Sequence, residues 1–130
     1  MTMAAGSPRP VALVVDDEPD VQELLSVLLT RAGYDVLRAG DGEEALRLAR
    51  QHLPAVVVVD VRMPKLDGYQ TTRALRADPA TAGLKVVILT ASVRDSERRQ
   101  ALAAGADLYL RKSVRRGDLA RRIHEVVRGD

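Results

Sequence analysis

The sequence predicts a doubly wound α/β fold, with five parallel strands in one sheet flanked by five helices, and three observations predict it. Short β-branched runs recur along the chain, and the longer segments between them carry apolar stripes of helical period. The runs begin about 20 to 30 residues apart, the length of one strand plus its crossover helix. Right-handed crossovers then place the helices on both faces of the sheet, with reactive groups expected beyond the carboxyl ends of the strands.

Taken in order, VALVV (11–15), DVLRA (35–39), AVVVVD (55–60), KVVILT (85–90) and DLYLR (107–111) read as strands. The first, third and fourth are continuous apolar runs, the pattern of strands buried on both faces. Val21, Leu24, Leu25 and Leu28 form one helical stripe, and Leu119, Ile123, Val126 and Val127 form another. Weaker stripes run through 42–53, 68–77 and 94–104, where alanine replaces bulkier residues. Asp41 with Glu44, and Ser92 with Asp95, have capping-box spacing, while Gly33 and Gly105 stand where helix ends need a left-handed residue. Residues 1–10 combine small residues with two prolines and read as a frayed leader before a single domain spanning 11–128.

Composition narrows the chemistry. The 130 residues contain no cysteine, which excludes thiol catalysis, disulfides and Cys-ligated metals. Two distant histidines, His52 and His124, give no metal-ligand spacing. A net charge of +2 is no nucleic-acid footprint, and three tyrosines as the sole aromatics leave few platforms for stacking bases. No apolar run approaches the roughly 18 residues of a membrane span.

The predicted strand ends supply Asp16 and Asp17 after the first strand, Asp60 at the end of the third, Thr90 at the end of the fourth and Lys112 past the fifth. Each has a plain structural alternative: Asp17 as a helix cap, Asp60 as a turn residue, Lys112 as a solvated strand end. Electrostatics separates the readings. Two carboxylates about 5 Å apart repel by roughly 3 kcal/mol at an effective dielectric of about 20, so three crowded acids approach roughly 10 kcal/mol. That rivals the stability of a domain, so the acids are spread apart, partly protonated, or gathered around a cation. An all-oxygen rim suits Mg²⁺, and a divalent cation beside a lysine and a hydroxyl is equipment for phosphoryl transfer, with Asp60 as nucleophile.

These residues resemble the receiver domains of two-component response regulators. The resemblance runs from Val11 to Val127 and rests on Asp16-Asp17-Glu18-Pro19, on VVVVD-VRMP-KLDG at 57–68, on Leu89-Thr90-Ala91, and on Gly105-Ala106-Asp107 with Tyr109 and Lys112. It implies a flavodoxin-like sheet of order 2-1-3-4-5 and a regulatory phosphoacceptor rather than an enzyme. By that resemblance Asp60 accepts a phosphoryl group from a phosphohistidine donor, a sensor histidine kinase or a phosphotransfer protein. Mg²⁺, with Mn²⁺ as a substitute, is implied at Asp16, Asp17, Asp60 and the backbone carbonyl of Arg62. Thr90, Lys112 and the backbone of Ala91 are implied to bind the phosphoryl group. Thr90 and Tyr109 are the implied switch pair, changing a surface of about residues 90–111, with a downstream target on the fourth helix and fifth strand and a cytoplasmic location. The plain alternative for Tyr109 is a half-buried strand tyrosine.

Two departures stand out. Ser113 replaces the proline that usually follows the lysine, so a trans Lys112–Ser113 bond and a reshaped loop are expected, because a non-proline cis bond costs about 2.5–4 kcal/mol. Arg62 places a long cation over the expected pocket mouth, where with Ser92 it is read as a modulator that partly neutralises the acids and contacts the phosphoryl group. A Mg²⁺-dependent aspartyl-phosphate phosphatase needs a second Asp where Arg62 stands. A degenerate receiver, binding partners without phosphorylation, is the other alternative. The basic stretch after Arg111 reads as a solvated helix face or a surface for a partner or a second copy, and direct nucleic-acid binding is not expected.

Overall fold

A computed structural model describes residues 9–91 and 94–129. In chain order it contains β1 (Val11–Val15), α1 (Pro19–Arg31), β2 (Asp35–Ala39), α2 (Gly42–His52), β3 (Val56–Asp60), α3 (Gly68–Ala77), β4 (Lys85–Thr90), α4 (Asp95–Ala104), β5 (Leu108–Arg111) and α5 (Arg116–Arg128). The five strands form one parallel sheet of order β2-β1-β3-β4-β5, as expected. No helix among the described residues is long and apolar enough to cross a membrane.

Strand alternation sorts the core into two layers. Ala12, Val14, Val56, Val58, Val87 and Leu89 pack with Leu25 and Leu29 of α1 and with Leu119 and Ile123 of α5. Leu13, Val15, Val57, Val59, Val86 and Ile88 face the other way, toward alanines of α2 and α4 and toward Tyr69 and Leu75 of α3. β3 is central and buried from end to end, which is why its sequence is four valines in succession. The last residue of that run is Asp60, delivered by apolar packing to the carboxyl edge of the sheet.

Several local expectations need correction. β3 begins at Val56 and β5 at Leu108, each one residue late. Asp107 stays outside β5 because its carboxylate accepts from Val86 N–H at 2.8 Å and pairs with Arg76 at 2.9 Å. α2 stops at His52, and Leu53 takes a left-handed conformation (φ 47°) before Pro54. α4 starts at Asp95 after an N-cap at Arg94 that makes no side-chain cap, and the expected cap Ser92 lies outside the described residues. Gly33 and Gly105 do adopt positive φ at helix ends. Residues 9 and 10, expected in the leader, are tied to the domain. Arg9 donates to the carbonyls of Thr30 at the end of α1 and of Gly33 and Tyr34 in the turn after it, and Pro10 accepts from Asp35 N–H.

The Asp41 box is half formed. Its carboxylate accepts from Glu44 N–H at 2.8 Å, but Glu44 reaches back to Gly40 N–H rather than to that of Asp41. The complete box belongs to Asp67 and Gln70, at the start of α3. The Glu44 N–H, reinforced by the Lys65 ammonium, holds the Asp41 carboxyl below the usual carboxylate range against an opposing effect of burial. A depressed folded value stabilises above the ordinary carboxylate range and is lost as pH falls through it. Asp41→Ala is therefore expected to cost about 1 kcal/mol at neutral pH. Urea denaturation of both proteins should show that gap closing as the solution is acidified.

Candidate functional site

Parallel pairing brings the ends of β1 and β3 side by side, since Val15 and Val59 are register partners, so the next residues, Asp16 and Asp60, leave the sheet together. Both carboxylates are buried: Asp16 is 1% exposed and Asp60 7%. Lys112 follows β5, where its N–H donates to the Thr90 carbonyl at 2.7 Å. From there its ammonium reaches past β4 to within 3.2 Å of Asp16 Oδ2 and 3.1 Å of Asp60 Oδ1. The three strand ends are tied by one cation.

Burial raises the Asp60 carboxyl above the ordinary range and the Asp16 charge adds to it, while Lys112 works against both. Burial alone would lower the Lys112 ammonium, but Asp60 and Asp16 together overcome it and hold the amine above its usual value. Lys112 thus stays charged and offsets part of the burial cost of the Asp60 carboxylate.

Asp17 and Glu18 stand exposed at the mouth. Carboxylate oxygens of Asp16, Asp17 and Glu18 all lie within 4.8 Å of one another, and Asp60 joins them through Lys112. Asp17 does not cap α1. The N-cap is Glu18, with no side-chain cap, and Glu18 N–H donates instead to Asp16 Oδ1 at 2.9 Å. Glu18 is the acid that the sequence reading left out of the ligand set, although it belongs to the same acidic run.

A cleft of about 450 Å³ opens over this edge, lined by Asp17, Glu18, Asp60, Arg62, Thr90 and Lys112, with Val61 and Ala91 completing it. Arg62 is exposed at the rim, and the cation paired with the buried acids is Lys112. Thr90, at the end of β4, is 5% exposed. Gly68 packs so tightly under the site that an added Cβ would overlap the Asp60 carbonyl oxygen. No peptide bond among the described residues is cis, so Lys112–Ser113 is trans as expected. An apolar hollow of about 320 Å³ between α1 and α5, floored by Leu24, Val27, Leu28 and Ala120, carries no carboxylate.

Tyr109 lies outside the cleft, buried against the face covered by α2, α3 and α4. Its hydroxyl donates to Glu97 Oε2 at 3.3 Å, the Arg98 guanidinium sits 5.9 Å above its ring, and Tyr69 donates to the Glu97 carbonyl at 3.5 Å. The structure therefore brings Asp16, Asp60 and Lys112 into contact, sets Asp17, Arg62, Thr90 and Ala91 around the same cleft, and puts Tyr109 behind it. Ser92 lies outside the described residues.

Comparison with known proteins matches residues 12–124 to the response regulator receiver domain. The chain belongs to that family. Among relatives, PilH of Pseudomonas aeruginosa is 37% identical over 117 residues, covering 90% of this chain and 97% of PilH. The "Probable transcriptional regulator ycf27" of Guillardia theta is 40% identical over 116 residues, covering 89% of this chain, which spans only 44% of that protein's length. Among solved structures, the receiver domain of sensor histidine kinase PA1611 from Pseudomonas aeruginosa superposes with a TM-score of 0.85 at 31% identity, covering 95% of this chain and 100% of the other. It was solved with a magnesium ion coordinated in its active-site cleft. This receiver therefore serves two-component signalling, and its all-oxygen trio of Asp16, Asp17 and Glu18 has the donor chemistry of a hard-cation site.

Removing the ammonium isolates two buried carboxylates. Lys112→Ala is expected to lower unfolding stability by about 2 kcal/mol, less than a fully sealed pair because Asp60 can take up a proton. Adding Asp60→Asn in the same chain should recover most of the loss in urea denaturation. Unchanged stability in the single variant contradicts the assigned charge balance.

Proposed function

We propose that this receiver takes a phosphoryl group from a phosphohistidine onto Asp60 and uses it to reset the surface of α4 and β5. The observation that carries the reading is Asp60 itself, a buried carboxylate at the end of the central strand, 3.1 Å from an ammonium and open to an acid-lined cleft. An Asp60 oxygen attacks phosphorus, the bond to the donor imidazole nitrogen breaks, and the imidazole departs with the electron pair. The product is an acyl phosphate on Asp60.

Asp16, Asp17, Asp60 and the Arg62 backbone carbonyl are the assigned ligands for Mg²⁺, with Mn²⁺ as a substitute and Glu18 close enough to act through water. When bound, the cation neutralises charge on the transferring phosphoryl oxygens. The protein's own part is positioning. Lys112 trades its carboxylates for a phosphoryl oxygen, while the Thr90 hydroxyl and Ala91 N–H take the others. Movement of Thr90 is read by Tyr109, whose hydroxyl holds α4 through Glu97. A new dianion at Asp60 then biases two arrangements of residues 90–111.

The donor is a sensor histidine kinase or a phosphotransfer protein in the cytoplasm, and the recipient of the signal is a protein docking on α4 and β5 or a second copy of the chain. The basic exposed side of α5 fits a protein surface better than a DNA reader, because its arginines are interleaved with Asp118 and Glu125 in ion pairs. Arg62 at the rim shields the acyl phosphate from water.

Incubation with Mg²⁺ and acetyl phosphate, followed by intact mass, should show a gain of one phosphoryl group that Asp60→Asn abolishes. Amide exchange should change within residues 90–111, and Arg62→Ala should shorten the phosphorylated lifetime several-fold. A wild type that gains no mass, or a gain that survives Asp60→Asn, overturns the assignment.

A further inference from the structure

The acidic run Asp16-Asp17-Glu18 is a loop that repels itself, and the usual device for pinning such a loop is missing, because the α1 N-cap makes no side-chain hydrogen bond. The Asp16 carboxylate is engaged by Glu18 N–H and by Lys112, and its backbone is held separately. Asp16 N–H extends the β1–β2 ladder by one bond, donating to the Ala39 carbonyl at 3.1 Å. Gln22, one turn into α1, then folds its side chain back over the loop. Its amide Nε2 donates to the Asp16 carbonyl at 2.5 Å and to the Ala39 carbonyl at 3.1 Å. One half-buried amide thereby ties the acidic loop, the end of β2 and the first turn of α1 together.

From this geometry we infer that Gln22 is a positioning residue for the divalent cation, touching neither the ion nor the phosphoryl group and acting through the backbone of Asp16. Mutual repulsion splays the acids when no cation is present, and the tether resists it. With the tether, the cation meets ligands already gathered. Without it, part of the binding energy goes into gathering them, so affinity falls while the fold remains. Both carbonyls accept from the same nitrogen, so the effect depends on the N–H donors and not on the size of the side chain. The inference rests on the cation reading given above for Asp16, Asp17 and Asp60.

The test is calorimetric titration of Mg²⁺ into the wild type, Gln22→Met and Gln22→Ala. Methionine keeps the length of the side chain without donors, and alanine keeps helix propensity. Both variants should bind about 10-fold more weakly, the lower end of what outer-shell partners contribute. Leu28→Ala, in the same helix but away from the loop, is the structural control and should lower the melting temperature in EDTA while leaving the Mg²⁺ Kd unchanged. Equal affinity in wild type and both Gln22 variants overturns the inference. So does a loss in Leu28→Ala as large as theirs, which would make the effect general loosening. A wild type that shows no Mg²⁺ binding overturns the cation reading itself, an outcome distinct from either.

Discussion

The Lys112 ammonium, held between the buried carboxylates of Asp16 and Asp60, is the interaction on which the working end of the molecule depends. Parallel topology makes the juxtaposition unavoidable. Neighbouring strands run the same way, so the residues just past their apolar runs share one edge, and here those residues are acids. The apolar strands cannot shorten to move the acids apart without exposing valine. Charge has to be balanced in place, and one cation from the far strand does it. Lys112 is itself about a quarter exposed, so the cation that balances the buried acids also faces the cleft.

Packing is uneven between the two faces of the sheet, and the unevenness follows function. α1 and α5 bury leucine and isoleucine, whereas α4 buries only Ala101 and Ala104 and leaves Leu102 56% exposed. A helix so lightly packed contributes little hydrophobic stabilisation and sits at the low-stability end of the fold. What holds it is polar: Glu97 takes the hydroxyls of Tyr109 and Tyr69, one from β5 and one from α3. Hydrogen bonds of this kind rearrange at small net cost, unlike an interlocked apolar core. α4 is therefore the helix of this fold with the least apolar burial and is tied to β5 and α3 through Glu97.

Much of this was legible in the sequence, and what was not has physical reasons. Runs of valine announce strands buried on both faces, and the sheet order followed from the family resemblance carried by the residues at their ends. Asp60 was legible because four valines leave its carboxylate nowhere to go but the edge. Arg9 was not, because a single side chain reaching carbonyls 21 to 25 residues away leaves no local pattern. The same holds for Gln22, whose amide acts on backbone from two other segments. The Asp67–Gln70 box has the readable spacing of a cap, but it lies inside a loop whose other residues suggested phosphate chemistry. Lys112 was expected on the same rim as the acids; that its ammonium lies between Asp16 and Asp60 follows from the β4–β5 pairing, which spacing alone does not reveal.

The central claim is that acids crowded by topology make the fold itself responsive to a divalent cation. The direct measurement is the unfolding free energy of the wild type at constant ionic strength across a series of Mg²⁺ concentrations. Binding to the folded state alone predicts stability that rises with the logarithm of concentration once the site begins to fill, and a smaller rise in Asp16→Asn. A stability indifferent to Mg²⁺, or a rise of equal size in Asp16→Asn, would contradict it.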